Sequence, residues 1–339
     1  MGTRFTGMKP EISVIFPVGP GADRACFALA DILGQSWKSL EVIFLLNCCP
    51  SAVREEVCGL QDDRVRVVDL GEEGCLLDAL NEGIRLSRGK WLARMDSDDR
   101  CHPERLEKTM VPLLSGECDV ASCGIELVGA LGDGMQRYVD WVNGLTDPEK
   151  VSRERFIESP VVQPTVIMAK ETLLEAGAYQ DDGLAEDYSL WLRLLHQGRR
   201  FGKVSEALYQ WTDRPDRLTR THPRYGQREM LILKARALAN LAEVKERGVV
   251  IAGAGPNGKV IASELLAQGI ELHGFFEISP KRVGGICRDR PIAGYPEFGI
   301  RWREAVLLSA VGSPRGREKV RAAAEKAAYQ EGDDFWCCC

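Results

Sequence analysis

The chain has 339 residues, 45% of them hydrophobic, which suits two domains of about 150 residues with real cores. A formal net charge of −6 gives no general affinity for nucleic acid. There is no apolar run of the roughly 18 residues that a membrane helix needs, and the N-terminus lacks the apolar core of a secretory signal. The expectation is a cytoplasmic protein with at most peripheral membrane contact.

Twelve cysteines is a high count. Cys26, Cys58, Cys75, Cys101, Cys118 and Cys123 stand singly, without the even spacing of a disulfide framework. The four histidines, His102, His196, His222 and His273, give no zinc spacing with them. Reduced structural thiols are expected. The terminal Cys337-Cys338-Cys339 differs: such a cluster can carry a lipid or a metal, although it does not fit the prenylation box.

Glu11 to Val18 reads as a buried strand ended by Pro17 and the turn Gly19-Pro20-Gly21. An amphipathic helix from about Asp23 to Leu33 and a second buried strand, Leu40 to Leu46, complete a βαβ unit of a parallel sheet. Arg64 to Val68 gives a third strand, Leu76 to Leu86 a helix ending at Gly89, and Trp91 to Met95 a fourth strand. In such sheets ligands bind beyond the carboxyl ends of the strands, where Pro17, Val18, Asn47 and Asp96 are expected to gather.

The fourth strand delivers Asp96-Ser97-Asp98-Asp99. In extended chain Asp96 and Asp98 share a face, and two carboxylates that close repel unless they share a hard cation such as Mg²⁺ or Mn²⁺. An isolated Asp-x-Asp more often serves as a solvated turn, here opening the helix after Pro103, so the neighbouring residues decide.

Asn81 to Asp99, followed by His102-Pro103-Glu104-Arg105-Leu106, resembles the central block of family-2 glycosyltransferases with the GT-A fold. That block has an Asn-x-Gly helix, a short strand, Asp-x-Asp-Asp and a Pro-x-Arg-Leu helix start. A second block, Gln163-Pro164-Thr165, then Gly177-Ala178-Tyr179, then Glu186-Asp187-Tyr188-Ser189-Leu190-Trp191, resembles the acceptor half of the same enzymes. The resemblance implies an α/β GT-A fold and inverting transfer of a sugar from a nucleotide-diphosphate donor. The acceptor would be a hydroxyl on a glycan, a lipid-linked glycan or a protein, as in envelope or capsule polysaccharide synthesis.

It further implies Asp96 and Asp98 as metal ligands and Asp187, beside Glu186, as the general base. Pro17, Val18, Asn47, Asn81, Arg85 and Arg94 would lie along the nucleotide-sugar, and Gln163, Pro164, Thr165 and Trp191 on the acceptor side. Arg85 and Arg94 either contact phosphate or pair with carboxylates. Glu186 and Asp187 also suit a helix N-terminus, as plain caps. Two segments depart from the family. Gly19-Pro20-Gly21 replaces an aromatic-Asn-Glu, and Asn47-Cys48-Cys49-Pro50 replaces Asp-Asp-Gly-Ser, so Asn47 offers a base edge hydrogen bonds without charge. Gln163 likewise replaces the commoner histidine. These departures leave open a non-catalytic nucleotide-sugar-binding or regulatory protein.

Asp213 to Arg224 is a polar connection, and Gln227 to Glu246 reads as one long helix that can pack against a second subunit. Beyond Arg247-Gly248, a strand from Val249 to Ala252 runs into Gly253-Ala254-Gly255-Pro256-Asn257-Gly258 and a helix from Lys259 to Gln268. The next strand ends at Glu277, placed as a ribose-binding acid would be. Gly253, Gly255, Gly258 and Glu277 thus form a candidate second nucleotide site. With Ser279-Pro280-Lys281-Arg282 and Pro291 to Tyr295, this half resembles the small Rossmann-type domain of nucleotide-sugar acyltransferases. A later strand, Ala305 to Ala310, and a helix, Arg317 to Tyr329, would complete it. The alternatives are an empty scaffold or an NAD(P)-dependent oxidoreductase module. The expected layout is residues 1–225 as the GT-A domain, 226–247 as a connecting helix and 248–339 as a Rossmann-like nucleotide-binding domain.

Overall fold

The computed structural model describes residues 9–20, 22, 24–49, 51–59, 61–71, 74–129 and 132–339. Gly21, Asp23 and Pro50, which figured in the readings above, lie outside them, as does the side chain of Cys58.

The chain begins with β1 (Ile12–Val18), α1 (Ala25–Leu33), β2 (Leu40–Leu46), α2 (Ser51–Cys58), β3 (Val65–Asp69), α3 (Leu76–Leu86) and β4 (Trp91–Arg94). β1 and β2 are buried at every residue, as central parallel strands covered on both faces must be. α1 buries Ala25, Ala28, Leu29 and Ile32, one stripe at helical spacing. α3 approaches the sheet closely because residue 83 is glycine: a Cβ there would lie 2.6 Å from Ile15 Cγ2.

β5 (Arg100–Cys101), α4 (Arg105–Leu114), β6 (Val120–Val128), α5 (Asp133–Asn143) and α6 (Pro148–Glu154) follow, then β7 (Ile167–Ala169), α7 (Lys170–Glu175), α8 (Glu186–His196) and β8 (Phe201–Thr212). α5 is anchored to β6. It buries Val139 and Val142, and the Asn143 amide brackets the Ile125 backbone at 2.8 and 3.0 Å.

Next come α9 (Leu218–Thr221), α10 (Gln227–Leu238) and α11 (Ala242–Arg247). The expected single helix over 227–246 breaks at Ala239–Leu241. Asn240 turns its side chain back onto the Arg236 carbonyl (3.2 Å), Leu241 N–H bonds three residues back to Leu238, and Leu241 itself is extended. The chain closes with β9 (Val249–Ala252), α12 (Pro256–Ala267), β10 (Leu272–Glu277), β11 (Ile286–Cys287), β12 (Arg290–Gly294), β13 (Val306–Ser309), α13 (Pro314–Lys326) and β14 (Phe335–Cys337).

Two compact units result. The first contains residues up to Pro148, Val161–Asp182 and Gln197–Arg217, around an eight-stranded sheet in the order β3-β2-β1-β4-β7-β6-β8-β5. β3, β2, β1 and β4 are parallel; β7 is antiparallel to both β4 and β6, so the sheet is mixed rather than wholly parallel. Its parallel strands end together: Asn47 N–H bonds the Val18 carbonyl and Met95 N–H the Ile15 carbonyl, which brings the residues after β1, β2 and β4 to one edge.

The second unit contains Glu149–Pro160, Gly183–His196 and Leu218–Cys339. Its sheet runs β11-β12-β10-β9-β13-β14, with β12, β10, β9, β13 and β14 parallel. Counting those five in chain order gives 3-2-1-4-5, the order of a doubly wound nucleotide-binding sheet. The segment Glu149–Pro160 is held here by Phe156, edge-on to Trp336 at 5.3 Å, by Arg155 over the same indole, and by Lys234 Nζ on the Ile157 carbonyl. The terminal cysteines belong to this architecture. Cys337 ends β14 and Cys338 follows it, both fully buried, so neither offers an exposed thiol to a lipid or metal. Burial raises both thiols above their ordinary range, which favours the inert protonated form.

Candidate active site

The acidic cluster sits at the carboxyl end of β4. One carboxylate oxygen each from Asp96, Asp98 and Asp99 lies within 4.8 Å of the others. Asp99 is fully buried and committed to the protein: its carboxylate accepts from Tyr209 Oη at 2.8 Å and from Thr212 N–H at 2.7 Å. Thr212 Oγ1 also donates to the Asp98 carbonyl at 2.8 Å. β8 therefore splints the turn that carries the motif, leaving Asp96 and Asp98 as the carboxylates turned to other work.

Burial, and then the charges of Asp98 and Asp96, push the Asp99 carboxyl up to about 8. Burial and Asp96 likewise raise Asp98 above the usual carboxylate range, against the pull of Arg217 and Arg214. Hard oxygen donors that repel one another form the donor set a small divalent cation relieves, so the residues fit Mg²⁺ or Mn²⁺. Sequence reasoning placed Asp96 and Asp98 but missed Tyr209, Thr212 and Arg217. The signal for Tyr209 and Thr212 is a β-rich aromatic run, Leu208 to Thr212, more than a hundred residues from the cluster, and Arg217 follows that run.

Arg94, buried at the end of β4, donates to Asp96 Oδ1 (2.9 Å) and to Gln163 Oε1 (3.2 Å). Its pairing with a carboxylate is thus observed. Gln163, Pro164 and Thr165 form a buried 3₁₀ turn, in which Pro164 gives its carbonyl to Arg105 and Thr165 Oγ1 bonds Val162. Pro17 and Val18 are buried in β1 beside Leu45 and Leu46. Asn47 is 9% exposed, and among the described residues its Oδ1 has no hydrogen-bond partner.

Asn81 and Arg85 are both engaged within the protein. The Asn81 amide clamps the Tyr179 backbone at 2.9 and 3.3 Å, which fixes the loop after α7. Arg85, largely exposed, forks onto Glu82 one turn back on α3.

In the second unit, Glu186 opens α8 and is 2% exposed. Tyr225 Oη donates to both of its oxygens (2.9 and 2.8 Å), and Arg224 pairs with it at 3.4 Å. Glu186 is therefore an anchored carboxylate. Asp187 Oδ1 accepts from Tyr188 N–H at 2.7 Å, as an acid in a first helical turn does. Trp191, expected on the acceptor side, is fully buried and is a core residue: the apolar stripe of α8 that carries it faces inward.

The glycine loop of the second unit is built as its spacing predicts. Gly253 has φ +109°, and a Cβ on Gly258 would lie 2.0 Å from the Gly253 carbonyl oxygen, so α12 starts hard against the loop. Glu277, at the end of β10, already has a full set of donors. It accepts from Ala254 N–H (3.3 Å), Ile278 N–H (2.9 Å), Ser279 N–H (3.2 Å) and Arg282 (3.1 Å). Burial acts to raise its pKa, but these bonds outweigh it and hold the carboxyl below the ordinary range.

A folded pKa that is depressed contributes stability above the unfolded value, and that stability is lost as pH falls through the folded one. Glu277→Gln is accordingly expected to cost about 1–3 kcal/mol at neutral pH. The gap between variant and wild type should close as pH drops below about 4. Unfolding curves taken across pH check this; a pH-independent gap would mean that the charge contributes nothing.

TarS residues 1–349 from S. aureus, solved in complex with UDP-GlcNAc, align with a TM-score of 0.56 at 18% identity, over 76% of this chain and 72% of that one. The fold is that of the GT-A glycosyltransferases, with an additional C-terminal α/β unit built on a second sheet. Residues 13–176 match glycosyl transferase family 2. The O-antigen biosynthesis glycosyltransferase WbnJ of Escherichia coli is 29% identical over 207 residues, 59% of this chain and 78% of that protein. The putative teichuronic acid biosynthesis glycosyltransferase TuaG of Bacillus subtilis is 23% identical over 210 residues, 61% of this chain and 80% of that protein. No helix among the described residues is long and apolar enough to cross a membrane.

Proposed function

We propose that the protein transfers a sugar, with inversion, from a nucleoside-diphosphate donor to a hydroxyl of a growing envelope or capsule glycan. The observation that carries this reading is the Asp96–Asp98 pair, splinted by Asp99 and β8 at the carboxyl edge of a GT-A sheet. WbnJ and TuaG, named for O-antigen and teichuronic acid biosynthesis, support the product class.

Asp96 and Asp98 would hold Mg²⁺ or Mn²⁺, which would supply positive charge to a departing diphosphate. Arg94 holds Asp96 in place through its 2.9 Å bond. Asn47 Oδ1, buried and without a protein donor among the described residues, accepts from an N–H on the nucleobase edge. Asp187 takes the proton of the attacking hydroxyl, the role its motif position implies. A single base and in-line attack give inversion.

The test is release of nucleoside diphosphate from a panel of UDP-, GDP-, dTDP- and CDP-sugars with Mn²⁺. Release from one donor class is expected, and Asp187→Asn should lower acceptor-dependent turnover by about 10²- to 10⁴-fold while sparing donor binding. Metal-dependent nucleotide binding without turnover on any donor would favour the regulatory reading instead.

For the second unit we propose nucleotide binding at Gly253, Gly255 and Gly258, supported by the 3-2-1-4-5 sheet order and the close Gly258 contact. Its likeness to the Rossmann-type domain of nucleotide-sugar acyltransferases rests on sequence pattern. Glu277, saturated by protein donors, braces the loop in this reading, and Gly255→Ala should weaken nucleotide binding without changing donor turnover.

A further inference from the structure

The edge of the first sheet opposite the acid cluster gathers cations. Lys9 precedes β1, and β4 pairs with β1 so that Trp91 stands beside Ile12, which brings Arg88 and Gly89 to the same end. β7 runs antiparallel to β4 with Ala169 beside Trp91, so the chain delivers Lys170 there as well. Lys9, Ser87, Arg88, Gly89 and Lys170 line an open cavity of about 520 Å³. That volume falls in the range of small-molecule sites, and the lining carries three cations and, among the described residues, no carboxylate.

The wall of the cavity is held from behind. Gly89 lets the chain run against β1, where a Cβ would come within 2.7 Å of the Ser13 nitrogen. Glu41, 2% exposed, accepts from Ser13 Oγ (2.6 Å), Arg88 N–H (2.7 Å) and Arg88 Nε (2.8 Å), while Gly89 N–H donates to Ser13 Oγ (2.8 Å). Lys170 Nζ donates to the Ser87 carbonyl at 2.8 Å. Arg88 is paired with Glu41, and Lys9 and Lys170 bring two further positive charges to the same cavity. Burial pushes the Lys170 ammonium below its ordinary range; Glu41 opposes this, and the nearby charge of Lys9 adds to it. An entering anion relieves that repulsion.

We propose that this cavity binds a phosphate or diphosphate group, as an anion site of the first unit separate from the acid cluster and about 20 Å from it along β1. Phosphate oxygens match the donors that line it, and two sources share this chemistry: a free phosphorylated small molecule and the phosphate of a lipid headgroup. The site does not depend on the donor chemistry proposed above.

The experiment titrates the full chain with inorganic pyrophosphate in EDTA, which removes metal-dependent binding at Asp96 and Asp98. Saturable binding is expected, unchanged in Asp98→Ala and about tenfold weaker in Lys9→Gln/Lys170→Gln. Because Lys170 also supports Ser87, the single variant Lys9→Glu, at an exposed position, provides a second measurement that leaves that bond intact and should weaken binding in the same direction. Co-sedimentation with vesicles of phosphatidylcholine, with and without phosphatidic acid, separates the sources: binding to acidic vesicles that the lysine variants abolish identifies a headgroup, and its absence identifies a free phosphate. No saturable pyrophosphate binding, or binding that survives both lysine variants, would overturn the proposal.

Discussion

Asp98→Ala is expected to lower metal-dependent nucleoside diphosphate release by about a thousandfold, roughly 4 kcal/mol of transition-state stabilisation, while leaving the metal-free protein as stable as wild type or more so. The two effects have opposite signs because of where the carboxylate sits. Asp98 lies in a partly desolvated turn beside Asp96 and Asp99, and its raised pKa means that the folded state disfavours its ionised form. A raised folded pKa contributes stability below the unfolded value, and that contribution is lost as pH rises through the folded one. In EDTA, wild-type stability should therefore fall as pH rises from about 4 toward the value of about 8 held by Asp99, and Asp98→Ala should flatten that fall. Nucleotide release and thermal unfolding in EDTA, on the same preparations, give both signs. An Asp98→Ala protein that is inactive because it is unfolded, or one that is fully active, would each contradict the assignment.

The parts of this molecule that read well from sequence are those whose partners are close in the chain. Ile12–Val18 and Leu40–Leu46 are continuous apolar runs joined by one helix, and parallel pairing of β1 with β2 follows from that spacing alone. The position of Asp96 and Asp98 at the end of β4 follows in the same way. What holds those carboxylates does not: Tyr209 and Thr212 arrive on β8 by pairing with β5 and β6, a register set by packing between segments far apart in the chain. The grouping of Glu149–Pro160 and Gly183–His196 with the C-terminal unit has the same cause. Tyr188, Trp191 and Phe156 show apolar periodicity, but periodicity names a buried face without naming what covers it, and Phe156 finds Trp336 far along the chain. Glu277 shows the converse. Its spacing after the glycine loop was legible, but its saturation by Ala254, Ile278, Ser279 and Arg282 is a property of the local turn that no spacing encodes.

Arg105→Ala is expected to destabilise the first unit by about 3–5 kcal/mol and to abolish turnover in whatever remains folded. Read from sequence, Arg105 is one letter of a helix-start pattern. In the structure it is 1% exposed, sends two bonds to the Arg94 carbonyl (3.1 and 3.0 Å) and one to the Pro164 carbonyl (2.6 Å), and stacks over the Tyr209 ring at 5.4 Å. One guanidinium thus ties the end of β4, the turn carrying Gln163 and the tyrosine that supports Asp99. Truncation leaves a cavity and two carbonyls without their donor, each costing about 1–3 kcal/mol when buried. At the 2–4 °C per kcal/mol typical of a domain this size, the melting temperature should drop by roughly 6–20 °C. Arg105→Lys should recover little, because a single ammonium cannot reproduce the fork that spans two carbonyls. Arg105→Met separates packing from hydrogen bonding. It fills most of the volume, so a protein as stable as wild type would show that the fork adds no net stability. A folded, inactive Arg105→Met would show instead that the fork acts by positioning Asp96 and Gln163 through Arg94.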